Sequence, residues 1–270
     1  TGHPLMILSA AIAILIPLAF MLGIWLLEIY AQSRVRTVVL AMAWGVAVFL
    51  MASAFHNRLM AWNVLNFEQV TTLSAPVFEE IFKALLIVLL ASRLSLTYAV
   101  DGTAYGFAIG TGFGMAENLN YVLSNPDRAL PIALTRVLSV SLMHAYTTGL
   151  VGTAAGSSLF LTRRAQLLRV GMSVAAAMLL HALFNGLVLN MQGLQALVAV
   201  LFIGLSGTGL VILLIQRALA LERRSLLAEL AEVASAGEVA AATNPQQIAH
   251  ILTRYRGAID RRRADQIRQY

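Results

Sequence analysis

The chain has 270 residues, of which 59% are hydrophobic and 12% are charged, and its mean hydropathy is +0.77. Soluble domains carry about 25% charged residues, so this composition excludes an ordinary soluble domain and predicts a polytopic membrane protein. The absence of cysteine excludes disulfide bonds and thiolate metal sites. The net charge is +6, but most arginines flank apolar segments, where they orient helices, so we expect no nucleic-acid partner.

Seven apolar stretches approach or exceed the roughly 20 residues that a membrane span needs. They are residues 5–30, 37–55, 70–94, 100–123, 130–161, 170–190 and 195–221. The first has no basic flank before it and is longer than the core of a signal peptide, so we interpret it as a span. The predicted fold class is therefore all-α: a polytopic transmembrane helical bundle of about seven spans, formed by residues 1–221.

Arginine placement predicts the orientation of these spans. Arginines follow the first, third and seventh spans and separate the fifth from the sixth: Arg34, Arg36, Arg93, Arg163, Arg164, Arg169, Arg217, Arg223 and Arg224. The alternate loops carry far fewer basic residues. The positive-inside rule then puts the N-terminus outside and the C-terminus in the cytoplasm, and we expect the plasma membrane.

Residues 222–270 differ from the rest because they are polar. The sequence Thr243-Asn244-Pro245 is typical of a helix start, with a cap followed by proline at the first helical position. Apolar residues recur at helical spacing on both sides of it. This segment is predicted to be a short helical cytoplasmic tail, and it contains no catalytic constellation.

The fourth span is rich in glycine. Gly102, Gly106 and Gly110 repeat every four residues on one face. Small residues let helices approach closely in a membrane, so the pattern predicts tight helix packing. The alternative is that these glycines leave room for a substrate backbone.

Charged residues inside the third span are the first sign of function. Each costs roughly 3 kcal/mol on insertion, so Glu79, Glu80 and Lys83 are expected to pair and to serve function. Lys83 lies four residues after Glu79 and three after Glu80, within reach of either carboxylate. Adjacent helical residues point about 100° apart, so we expect one glutamate to contact water while the other pairs with Lys83.

The next three spans add polar residues at a similar depth. The fourth span carries Glu117, Asn118 and Tyr121, the fifth carries His144, and the sixth carries His181 and Asn185. A lone histidine or asparagine in a span is often a structural hydrogen bond. Four consecutive spans with such groups instead predict one polar cavity in the outer half of the membrane.

This set of residues suits hydrolysis. A buried glutamate can act as a general base and then as an acid, and histidine or asparagine can donate to a developing oxyanion. Alternatively, two histidines and a glutamate can hold Zn²⁺ with an open position for water. The metal ligands considered are Glu80, Glu117, His144 and His181. The sequence has no HExxH metalloprotease helix.

At these residues the chain resembles the PrsW family of intramembrane proteases, relatives of the CAAX-prenyl endopeptidases. Four motifs between residues 75 and 190 carry the resemblance: Glu79-Glu80-x-x-Lys83, Gly114-x-x-Glu117-Asn118-x-x-Tyr121, His144, and His181-x-x-x-Asn185. The resemblance implies an endopeptidase that makes the first cut in a single-span, membrane-anchored anti-sigma factor, on its extracytoplasmic side.

The relatives also imply roles for individual residues. A glutamate, Glu79 or Glu80, would activate water together with His144, while His181 and Asn185 would stabilise the oxyanion. Lys83, Glu117, Asn118 and Tyr121 would support them. In the competing interpretation of the family, glutamate and histidine are metal ligands.

Two other classes of function remain open from the sequence. A non-catalytic member of the same superfamily would hold or present other membrane proteins. An ion or metal transporter would also place carboxylates inside the membrane, although transporters often contain paired repeats and we find no internal repeat here.

Overall fold

The computed structural model describes residues 2–27, 35–92, 96, 99–159, 161–191, 194–195, 198–210, 212–213, 216–217 and 220. The described residues form helices and no strand. The helices are α1 (Gly2–Leu27), α2 (Val35–Ala61), α3 (Phe67–Gln69), α4 (Ala75–Ser92), α5 (Ala99–Ser124), α6 (Ala129–Gly156), α7 (Arg163–Asn190) and α8 (Val198–Leu210). A π-helical turn, Val70–Ser74, joins α3 to α4, and a 3₁₀ turn, Pro126–Arg128, precedes α6.

Four of these helices are long and apolar enough to cross a membrane. The segments are Pro4–Gly23, Val35–Ala61, Pro126–Gly156 and Arg163–Asn190, and each coincides with a predicted span. The all-α membrane fold is thereby confirmed. Helices α4 and α5 coincide with the third and fourth predicted spans but are not among the four, and α8 is shorter. The predicted tail, 222–270, lies outside the described residues.

Helix α5 forms the centre of the bundle. Its residues 100–114 are all buried, and α1, α2 and α6 enclose it. Helix α4 packs against α2, α5, α6 and α7. The four helices that carry the predicted site, α4 to α7, are therefore neighbours.

The glycines of α5 let its backbone touch two neighbouring helices. The predicted packing face, Gly102, Gly106 and Gly110, lies directly against the backbone of α6. A Cβ added at Gly110 would collide with the carbonyl oxygen of His144, and one at Gly112 would collide with that of Met42 in α2. Close packing is confirmed, and the alternative of space for a substrate backbone is wrong because α6 fills it.

The π-helical turn before α4 follows from Pro76. The N–H of Ala75 bonds to the carbonyl of Val70, five residues back. The next bond of that kind would run from residue 76 to Thr71, but proline has no N–H to donate. The turn therefore leaves the Thr71 carbonyl without its helical donor, as is common where one wide turn interrupts an α-helix.

His56 contacts the same turn. It lies inside α2 and is buried. Its Nε2 atom is 3.2 Å from Oγ of Ser74. Helix α2 thus stabilises one side of the π-helical turn.

Candidate active site

Helices α4 to α7 bring six ionisable side chains into one largely buried cluster, which we call the polar cluster. Its members are Glu79, Glu80 and Lys83 of α4, Glu117 of α5, His144 of α6 and His181 of α7. All six were predicted from the sequence to meet. These residues of four successive predicted spans therefore meet in one place.

Lys83 lies at the centre of the polar cluster and is fully buried. Its Nζ atom is 2.9 Å from Oε1 of Glu80 and 2.9 Å from Nδ1 of His144. The distance to Oε2 of Glu79 is 3.8 Å, and the Phe113 ring centroid is also 3.8 Å away. Lys83 therefore pairs most closely with Glu80, which leaves Glu79 as the glutamate available to water.

Glu80 connects α4 with α7. Its Oε1 atom accepts from Lys83 and lies 2.9 Å from Nδ1 of His181. Its Oε2 atom is buried and has no hydrogen-bond partner within the described part of the chain. Buried carboxylate oxygens are normally satisfied, and Oε2 retains the capacity to accept a hydrogen bond.

The Nδ1 atoms of the two histidines have opposite roles: that of His144 accepts a hydrogen bond, and that of His181 donates one. An ammonium group only donates, so Nδ1 of His144 accepts from Lys83, and Nε2 carries the proton. That proton points at Oε2 of Glu117, 2.9 Å away. Both nitrogens of His144 are thus engaged.

His181 has a free lone pair instead. A carboxylate only accepts, so Nδ1–H of His181 donates to Glu80, and Nε2 is the acceptor. This Nε2 atom is 3.9 Å from Oε2 of Glu79, whose side chain is 12% exposed. Two acceptor atoms therefore lie near each other, and a water molecule that contacts both would donate to both. This arrangement favours Glu79 with His181 for water activation.

The edge of the polar cluster at Glu117 includes an arginine that the sequence analysis missed. Nη2 of Arg136 is 2.8 Å from Oε1 of Glu117, and its Nε donates to Oδ1 of Asn118 at 3.2 Å. The guanidinium carbon lies 3.6 Å from the Tyr121 ring centroid. Asn118 also donates to Ser141 at 2.7 Å. An arginine inside the apolar stretch 130–161 was the signal that could have revealed it.

Asn185 lies one turn from His181 but is engaged elsewhere. Its Nδ2 atom donates to the carbonyl oxygen of Thr71 at 2.9 Å. This is the carbonyl that Pro76 leaves without a donor. The structure therefore gives Asn185 a contact with the π-helical turn, whereas the sequence placed it at the oxyanion.

Three residues of the polar cluster suit a metal ion. Glu79, His144 and His181 each offer a ligand atom, and these atoms lie within 4.8 Å of one another. Two histidines and a carboxylate form a common catalytic zinc site. Of the expected ligands, this group contains His144 and His181 but neither Glu80 nor Glu117, and Glu79 supplies the carboxylate. Oε1 of Glu80 is bound by Lys83 and His181, and Glu117 is bound by Arg136 and His144.

The hydrogen-bond partners of the two histidines determine how readily each could bind zinc. His181 donates its other N–H to a carboxylate, as metal-bound histidines usually do. His144 would have to exchange Lys83 or Glu117 for the metal. The donor set fits zinc in type and spacing, with one exchange of partner at His144.

Comparison with known proteins gives one match. The family model described as PrsW family intramembrane metalloprotease matches residues 33–216, which is more than half of the chain and includes every member of the polar cluster. No curated protein and no solved structure matches the chain.

Proposed function

Because the chain belongs to the PrsW family of intramembrane metalloproteases, we propose that it hydrolyses a peptide bond of a single-span, membrane-anchored protein near the extracytoplasmic face of the membrane. The chain is an intramembrane protease by its family. Its substrate class is an anti-sigma-factor-like protein, in which it makes the first cut. The resemblance of the four motifs to the family supports this substrate class.

The observation that supports the proposal most directly is the short distance between Glu79 and His181. Two acceptors, Oε2 of Glu79 and Nε2 of His181, lie 3.9 Å apart in a site that α4 and α7 shield from solvent. A water molecule in contact with both atoms would lose its proton to Glu79, which then protonates the leaving amine. Glu80 orients His181 through Nδ1, so the lone pair of Nε2 stays directed at the water.

The remaining members of the polar cluster supply positive charge and donors. His144 carries a proton on Nε2, and a substrate carbonyl that replaced Glu117 as its partner would accept that hydrogen bond as the oxyanion develops. The ammonium of Lys83 adds a fixed positive charge in a medium of low dielectric constant, where such charges act strongly. In the alternative mechanism, Glu79, His144 and His181 would hold zinc instead of taking these roles, and the zinc would polarise the water and the carbonyl.

The proposal includes an arrangement in the plasma membrane. Residues 1–221 form the protease domain, with its core motifs at 75–190, about seven spans and the N-terminus outside, and residues 222–270 form a cytoplasmic tail. Arginine placement supports this orientation. With it, α5 runs outward and places Glu117 in its outer part, so the polar cluster would open towards the extracytoplasmic side.

The test uses the full chain in proteoliposomes with a defined probe. The probe is a single-span anti-sigma factor with a cytoplasmic N-terminal domain and an extracytoplasmic C-terminal domain. Mass spectrometry of the fragments should locate one cut at the extracytoplasmic end of its span. Replacing Glu79 or His181 by Gln should lower the cleavage rate about 10²- to 10⁴-fold, since general acid–base groups contribute that much.

The matched control is Glu68→Gln, which removes an exposed carboxylate of α3 and should leave the rate unchanged. Full activity of Glu79→Gln and His181→Gln would overturn the assigned site. A cut at the cytoplasmic end of the span would overturn the proposed orientation.

A further inference from the structure

We propose that Arg136 is a positioning residue of this active site, which fixes Glu117 and, through Glu117, the proton-bearing nitrogen of His144. The inference rests on the proposed function. It concerns a residue outside the four motifs, on the helix that also supplies His144.

The guanidinium of Arg136 makes three contacts. Nη2 forms an ion pair with Oε1 of Glu117 at 2.8 Å, and Nε donates to Oδ1 of Asn118, so one side chain of α6 holds two consecutive residues of α5. Its flat face stacks on Tyr121 at 3.6 Å. A planar fork with several donors can make these contacts together, whereas the ammonium of lysine is a point charge.

Glu117, held in place by Arg136, in turn positions His144. Oε1 of Glu117 is held by Arg136, and Oε2 accepts from Nε2 of His144 at 2.9 Å. The Glu117 side chain is 20% exposed, so without Arg136 its carboxylate has room to rotate towards water. Of its two hydrogen bonds, His144 would then keep the one with Lys83 and lose the one that directs its proton.

Charge balance in the cluster supports the same role. Three carboxylates face two permanent cations: Lys83 compensates Glu80 at 2.9 Å, and Arg136 compensates Glu117 at 2.8 Å. Of these two cations, Glu79 contacts Lys83, at the longer distance of 3.8 Å. Arg136 thus stabilises Glu117 as a charged acceptor, and Lys83 is left to Glu80 and His144. Glu79 is then the carboxylate with the least engaged oxygen atoms.

The experiment is a double-variant cycle on the full chain in proteoliposomes with the same anti-sigma-factor probe. The variants are Arg136→Gln, Arg136→Lys, Glu117→Gln and the double variant Arg136→Gln/Glu117→Gln, and kcat and KM are measured separately. We expect Arg136→Gln to lower kcat at least about tenfold with KM changed less than about twofold, since misplaced groups slow chemistry. Arg136→Lys should recover part of kcat.

In the double variant, the Arg136 change should cost less than about twofold beyond Glu117→Gln, because neighbours that act as a unit are not additive. An additive loss, or wild-type kcat in Arg136→Gln, would overturn the inference. Thermal unfolding of each variant distinguishes a loss of folding from a displacement of Glu117 and His144. If Arg136→Gln does not fold, Arg136→Lys provides the test. Arg128→Gln removes an exposed arginine next to α6 and is the control.

The two proposals fail in different ways. If Glu79→Gln cleaves the probe like the unmodified protein, the proposed site itself is wrong. If Glu79→Gln is inactive while Arg136→Gln has normal kcat, only the role of Arg136 is wrong.

Discussion

Asn185 donates a hydrogen bond to the carbonyl oxygen of Thr71 across 2.9 Å. Thr71 lies in the π-helical turn, and Pro76 cannot supply the N–H that this carbonyl would otherwise receive. The side chain of α7 therefore replaces a missing main-chain donor. It fixes the turn that leads into Glu79 and Glu80.

Removing this donor should destabilise the protein. We expect Asn185→Ala to lower the free energy of unfolding by about 1–3 kcal/mol, since a partly buried acceptor is left unpaired. Pro76→Ala restores a main-chain N–H and should recover much of that loss in the double variant. Unfolding by heat or SDS in detergent micelles measures both effects.

The same pair of variants tests the alternative role of Asn185. If this residue donated to the oxyanion, Pro76→Ala would not rescue cleavage of the probe. Recovery of both stability and cleavage in Asn185→Ala/Pro76→Ala supports the role in the turn.

Gly110 should not tolerate a side chain. Its Cβ position is occupied by the carbonyl oxygen of His144, so Gly110→Ala must push α5 and α6 apart, at a cost of about 3 kcal/mol in unfolding free energy. Gly171→Ala is the matched control, because no atom lies within 4 Å of its added Cβ. That variant should be as stable as the wild type or about 1 kcal/mol more stable. Equal stability of the two variants would contradict the observed packing.

Lys83 should be essential for stability as long as Glu80 is charged. Lys83→Met leaves a buried carboxylate without its cation and is expected to cost about 3–5 kcal/mol. Adding Glu80→Gln removes that charge and should recover at least half of the loss. If the double variant is no more stable than Lys83→Met, the 2.9 Å ion pair is not the source of the effect.

The predicted orientation can be tested by labelling, because the sequence contains no cysteine. Val64 and Leu161 are exposed, one after α2 and the other before α7. A membrane-impermeant maleimide applied to intact cells should label Val64→Cys and spare Leu161→Cys until the cells are opened. The reverse pattern would place the polar cluster on the cytoplasmic side.

Metal content should follow the three predicted ligands. We expect the purified protein to retain about one zinc ion per chain, and Glu79→Gln or His181→Gln to lose most of it. Elemental analysis after dialysis measures this without an activity assay, with Glu68→Gln as the control. Cleavage that survives complete removal of zinc by a chelator would favour direct activation of water by Glu79.

Much of the site was predictable because each motif lies on its own helix. The spacing of Glu79, Glu80 and Lys83 limited the pairing to two choices, and the order of the motifs placed Glu117, His144 and His181 on neighbouring helices. The choice between the two glutamates depended on the rotation of α4 about its axis. Sequence spacing does not determine that rotation, whereas packing against α6 and α7 does.

The missed features depend on contacts between distant residues. The sequence alone did not distinguish Arg136 from the other arginines, because its partner Glu117 lies on a different helix, α5. The hydrogen bond of Asn185, in α7, depends on Pro76, which lies in α4. Pro76 inside a helical stretch was a local signal of the π-helical turn, but its partner was not visible in the sequence.

The backbone contacts of α5 limit how the protein can open. This helix touches α6 through Gly110 and α2 through Gly112, so neither rotation about its axis nor sliding is possible without main-chain collisions on two sides. A polypeptide that reaches Glu79 from the lipid must therefore enter by displacement of other helices. We expect α5 to stay in place during catalysis, while the helices around it move to admit the substrate.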